Sequence, residues 1–169
     1  MANTMADDPR VQMLLRTLQQ AYERKAWHGT NLRGALRGLS AEQAAWRPGP
    51  KRHNIWELAV HAAYWKYIVL RRLRHARKQG ETRFPVPGSD WFVRPGEDAS
   101  ERAWKDDLGI LGAMHRDLLA VVDGLADADL DRAPEGSQTL LGDLILGGAF
   151  HDIYHAGQIQ LLKRLHEGR

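Results

Sequence analysis

Hydrophobic positions recur along this chain at helical spacing, and four long stretches carry the pattern. Asp8-Pro9 opens the first: aspartate is a good cap, and proline suits the first helical position, where its missing N–H costs nothing. Val11, Leu14, Leu15, Leu18, Ala21 and Tyr22 then follow on one face. The pattern breaks around Trp27-His28-Gly29-Thr30 and resumes at Leu32, Ala35, Leu36 and Leu39, which predicts a kinked or two-piece first helix. Ser40-Ala41-Glu42-Gln43 has the capping-box form and predicts one short turn, stopped by Pro48-Gly49-Pro50.

A second box, Asn54-Ile55-Trp56-Glu57, predicts a long helix running to about Lys78, with Gly80 ending it. Its inner band of Leu58, His61, Ala62, Trp65, Ile68 and Val69 sets a histidine within an apolar face. Residues 81–99 hold Pro85, Pro87, Gly88, Pro95 and Gly96 and read as a long crossover, pinned to the helices by Trp91 and Phe92. A third helix is predicted from Asp98 or Ser100, with Glu101 completing a box, through Trp104, Leu108, Leu111, Leu118, Leu119 and Val122 to Gly124. Beyond the loop at Gly136-Ser137, a fourth runs from about Thr139 to His166. Its expected inward seam is Leu141, Leu144, Gly148, His151, His155, Gln158 and Leu162. With no strand alternation, repeat or low-complexity run, the pattern predicts an all-α, antiparallel four-helix bundle as a single domain over residues 1–169, with the long crossover between helices two and three.

Composition narrows the classes. A hydrophobic fraction of 43% and a charged fraction of 27% suit a water-soluble globular chain. The net charge of +3 is too mild to imply nucleic acid, and the Arg71–Lys78 run reads as a solvated helix end that complements the dipole. No apolar run approaches the ~20 residues of a membrane span, and the first eight residues lack the pattern of a secretory signal, so the expected setting is cytoplasmic. The sequence contains no cysteine, which excludes disulfides, thiolate metal sites and a cysteine nucleophile.

The chemistry concentrates in histidine. His151 and His155 stand four apart on one helix face, and His61 faces inward from another helix, whereas His75 and His166 lie near helix ends. An inward histidine taken singly is commonly a core residue satisfied by packing. Three together suit a divalent ion such as zinc or nickel, with a fourth position left open. Gln158 is placed to hydrogen-bond a ligand from outside or simply to pack between helices. Gly147 and Gly148 either leave room above the ion or permit close helix packing. His28 and His115 read as packing or surface residues rather than rim residues. His151-Asp152-Ile153-Tyr154-His155 is one residue from the His-Glu-x-x-His motif of metalloproteases, but Leu161 stands where the extended motif has its further histidine. Asp152, the one acid beside the pair, is expected to point away from the seam.

With Asn54-Ile55-Trp56-Glu57-Leu58-Ala59-Val60-His61, His151-Asp152-Ile153-Tyr154-His155-Ala156-Gly157-Gln158-Ile159 and the Trp27-His28-Gly29 break, the chain resembles the DinB-like family, including its YfiT-type relatives. The resemblance implies a four-helix bundle with a divalent metal, zinc or nickel, held by three histidines that fall on His61, His151 and His155. It also implies a homodimer, and for some members S-transfer or isomerisation with a low-molecular-weight thiol of the mycothiol or bacillithiol type. A metal-dependent thiol transferase is therefore the leading expectation. The alternatives are a metal-dependent hydrolase and a non-enzymatic, metal-binding stress-response dimer.

Overall fold

The computed structural model describes residues 8–80 and 82–168. Residues 1–7, over which a signal was looked for, lie outside the described residues, as do position 81 at the head of the crossover and the last residue. Six α-helices follow in order: α1 (Pro9–Tyr22), α2 (Leu32–Leu36), α3 (Ala41–Ala45), α4 (Ile55–Ala76), α5 (Glu101–Asp123) and α6 (Leu141–His166), with a 3-10 turn at Asp127–Asp131. The described residues contain no strand. The protein is an all-α helical bundle, and its first helical stretch is in two pieces, as the break at Trp27–Thr30 implied.

Local signals act as read in some places and are redirected in others. Ser40 forms the full reciprocal box with Gln43. Asn54 accepts from the Glu57 N–H at 2.8 Å, but the Glu57 carboxylate does not reach back; it pairs with Arg47 and His53 instead. Glu101 likewise leaves its own helix and accepts from the N–H of Ala41 at 2.6 Å, capping α3. Asp8 makes no cap to α1; its carboxylate accepts from Asp127 N–H, while the Asp127 carboxylate accepts from Val11 N–H. Helix α4 ends at Ala76, and the left-handed residue after it is Lys78 at φ 53°, not Gly80.

Two apolar clusters fill the ends of the bundle. One gathers the starts of α4 and α5 (Ile55, Trp56, Trp104) with the end of α6 (Ile159, Leu162). The other gathers the start of α1 (Val11, Leu14) and of α6 (Leu141, Ile145) with the ends of α4 and α5 (Leu73, Val122). Helices α1 and α6 therefore run one way and α4 and α5 the other. Since α4 is 22 residues long, about 33 Å, the chain must travel back along the bundle before α5 can start beside α4. Residues 77–100 make that return.

The buried residues of α6 are Leu141, Ile145, Ala149, Asp152, His155, Ala156, Ile159 and Leu162, so the core line keeps Leu141, His155 and Leu162 of the expected seam and otherwise shifts to the side of Ile145, Asp152 and Ile159. Leu144, Gly148 and His151 are half-buried at its edge. Asp152, expected to point away, lies on the line, fully buried and salt-bridged to Lys66 of α4, itself buried. The opposite face of α6 carries Phe150, Tyr154, Leu161 and Leu165, all exposed. A helix apolar on both faces gives periodicity nothing with which to fix its rotation.

Candidate metal centre

Helices α4 and α6 cross with His61 on one and His151 and His155 on the other. His61 and His155 are buried, and His151 is half-buried. The Nε2 atom of His151 lies 3.2 Å from that of His61 and 3.0 Å from that of His155. One ligand atom from each of the three falls within 4.8 Å of the other two. Nitrogens bound at about 2.0–2.1 Å to a tetrahedral ion stand about 3.3 Å apart, so the observed spacing is close to one edge of such a site.

The outer nitrogens fix the proton positions. His61 Nδ1 donates to the carbonyl of Asp90 at 2.7 Å, and His155 Nδ1 donates to Gln158 Oε1 at 2.6 Å. Each neutral ring has one N–H and spends it there, which turns both Nε2 lone pairs toward His151. A single proton on His151 can satisfy only one of them. A cation at the common point would satisfy all three, and the donor set fits a divalent ion. Gln158 thus meets His155 as the sequence placed it, while the carbonyl partner of His61 comes from the crossover.

The rings are also held neutral. Burial lowers the His61 pKa below its ordinary value, although Asp90 opposes the shift. Burial, reinforced by the neighbouring imidazoles and Lys66, pushes His151 down to about 3. Burial pushes His155 down to about 4, with the Gln158 hydrogen bond working against it. At neutral pH all three present lone pairs rather than protons.

A cleft of about 600 Å³ opens beside the triad, walled by Trp65, Trp91, Tyr154 and Leu161, with Arg52 and His53 also lining it. Trp91 does more than pin the crossover: its indole is stacked between two imidazoles, its ring centroid 3.8 Å from that of His61 and 3.7 Å from that of His53, with planes nearly parallel to both. Asp90 sits in the left-handed region at φ 62°, so its carbonyl turns to His61 while its carboxylate accepts from Trp65 Nε1 at 2.9 Å. Sequence reasoning missed Asp90 and His53; the signals were a Gly88-Ser89-Asp90 turn and aromatic residues stranded in a proline-rich connection. Phe92, by contrast, is buried against Tyr64 and Phe84 and anchors the crossover as expected.

Other candidates fall outside the cleft. His28 is exposed, and His115 is buried elsewhere. A Cβ on Gly148 would meet Val69 at an ordinary 3.6 Å and one on Gly147 would meet nothing, so neither position is closed to a side chain. The Asp152 carboxylate is held by Lys66 in the core, which takes the acid of the protease-like motif away from the histidines.

Three neutral imidazoles from two crossing helices, beside an aromatic cleft, define a helical-bundle protein able to hold a divalent cation. The family model described as the DinB superfamily matches residues 24–159, and the chain belongs to that superfamily. Comparison with curated proteins and with solved structures gave no significant match. Among the described residues no helix is long and apolar enough to cross a membrane.

Proposed function

We propose that this DinB-superfamily protein binds a divalent ion, zinc or nickel, through His61, His151 and His155, and is a transferase using a low-molecular-weight thiol of the bacillithiol or mycothiol type. The observation that carries the reading is the convergence of three Nε2 atoms at the wall of an open cleft. A divalent ion there supplies Lewis acidity that lowers the pKa of a thiol. Without cysteine in the chain, the sulfur must belong to a cosubstrate. Asp90 and Gln158 orient the ligand rings, Trp65, Trp91 and Leu161 receive the apolar part of an electrophile, and Arg52 offers a charge to an acidic cosubstrate. The test incubates metal-loaded protein with bacillithiol, mycothiol or glutathione and an electrophile; no rate above background with any thiol refutes the transferase.

Hydrolysis is the second reading, and the Asp90 carboxylate in the cleft favours it, because a water-activating base is the part that Asp152 does not supply. Asp90→Gly separates the two. Glycine tolerates the left-handed φ and keeps the carbonyl, so thiol transfer persists, whereas hydrolysis needing the carboxylate is lost. The non-enzymatic, stress-response reading calls for a centre closed to ligands, and the cleft weighs against it. The exposed line of Phe150, Tyr154, Leu161 and Leu165 on α6 supports a homodimer, to be tested by light scattering on Phe150→Glu. We place the protein in the cytoplasm, where a small thiol stays reduced.

A further inference from the structure

A second cleft, of about 960 Å³, lies between the end of α1, α2 and α5 and shares no residue with the histidine cleft. At its inner wall stands His115, 1% exposed. His115 Nδ1 is 3.4 Å from Lys66 Nζ, and an ammonium only donates, so Nδ1 accepts. Burial and the Lys66 charge keep the ring neutral, with its pKa pushed down to about 3. Its one proton therefore sits on Nε2. That buried Nε2 has no hydrogen-bond partner. The nearest carboxylate oxygen, Glu23 Oε1, is 3.9 Å away, and the other Glu23 oxygen is taken by Arg33 at 3.0 Å.

The surroundings state what would complete it. Arg33, Arg37, Lys105 and Arg116 line the cleft against one acid, Glu23. Leu36, Trp104 and Leu108 give it an apolar wall. The Glu23–Arg33 pair is solvent-accessible, and such pairs hold weakly, so an incoming anion can displace the Glu23 carboxylate. We propose that this cleft binds an organic carboxylate with an apolar body, whose carboxylate accepts from His115 Nε2–H and is neutralised by Arg33 and Arg116. The body lies on Leu36, Trp104 and Leu108. This site is independent of the metal centre and of any reaction there.

The test titrates the full chain with octanoate while imidazole ¹H–¹⁵N correlations are recorded. The free protein should show His115 as the Nε2–H tautomer, and octanoate should shift that resonance saturably, at least tenfold tighter than acetate or octanol. Gly109→Leu supplies a blocking variant expected to fold: a Cβ at Gly109 meets nothing within 4 Å, leucine is the better helix former, and Gly109 lines the cleft, so the added side chain obstructs it. Octanoate affinity should fall at least tenfold in Gly109→Leu and in Arg116→Glu, rise in Glu23→Gln, and stay unchanged in Trp91→Ala. An Nδ1–H tautomer, a His115 resonance indifferent to octanoate, or affinity lost in Trp91→Ala but kept in Gly109→Leu overturns the proposal.

Discussion

Replacing Gln158 by leucine probes the metal centre without touching a ligand. The Gln158 Oε1 atom accepts the His155 Nδ1 proton at 2.6 Å, and that bond holds Nε2 as a bare lone pair facing His151. Leucine leaves the N–H without an acceptor and frees the ring to move its proton to Nε2, which closes the coordinating lone pair. Loss of a ligand's outer partner typically costs 10–100-fold in metal affinity, or about 1.4–2.7 kcal/mol. The same range follows from orphaning a buried polar group, about 1–3 kcal/mol. Competition against a chromogenic chelator at pH 7 measures it, with His155→Ala alongside as the variant that removes a ligand and should sharply lower bound metal. Gln158→Glu, which keeps an acceptor, should bind at least as well as the parent. Unchanged affinity in Gln158→Leu, with binding lost in His155→Ala, would refute the argument that the outer hydrogen bond sets the ring.

Asp152→Asn should cost about 3–5 kcal/mol in urea denaturation, because it strands the buried Lys66 charge, while Lys66→Met with Asp152→Leu should recover most of that loss. For acid stability, His115 sits at about 3 when folded and near its ordinary 6.5 when unfolded. The unfolded chain thus binds the proton first, and stability falls as pH drops from about 6.5 toward 3, by on the order of 5 kcal/mol from this residue. His115→Gln should make that limb of a stability-against-pH curve shallower, with His151 and His155 supplying what remains, and an unaltered curve would show the His115 ring to be ordinary. Asp90→Gly should keep metal affinity within about threefold, because the carbonyl that orients His61 survives; a larger loss would assign the orienting role to the carboxylate.

The parts legible in the sequence were those governed by neighbours along the chain. The Ser40 box, the two-piece first stretch and the His151/His155 pair depend on spacings of three to ten residues and stand where periodicity put them. Helix α4 is buried almost all round from Ile55 to Leu70, so Leu58, His61, Ala62, Ile68 and Val69 lie inside whichever face periodicity picks, and only Trp65 of the expected band is half-buried. On α6 both faces are apolar, so Leu144, Gly148 and His151 were read as inward though they are half-buried, and Ile145, Ala149 and Asp152 were not read as core. Lys66 escaped notice for a related reason: a lysine in an apolar band looks like a solvated interruption until its partner 86 residues away is known. Asp90 and Trp91 joined the site through the return path of the crossover: the Gly88-Ser89-Asp90 turn marks a bend there, but not that it meets His61, 29 residues away.

Adjacent residues on α6 face opposite tasks. Turning that rod about its axis by one position, about 100°, would drive an imidazole against Lys66 and swing a carboxylate toward the cleft. Grease on both sides cannot forbid the turn, whereas the ammonium and carboxylate locked between α4 and α6 can. The pair then acts as a key in a shaft, choosing the azimuth at which His151 and His155 meet His61. A variant with the key replaced by oil would keep its melting point and lose the sharpness of its metal titration.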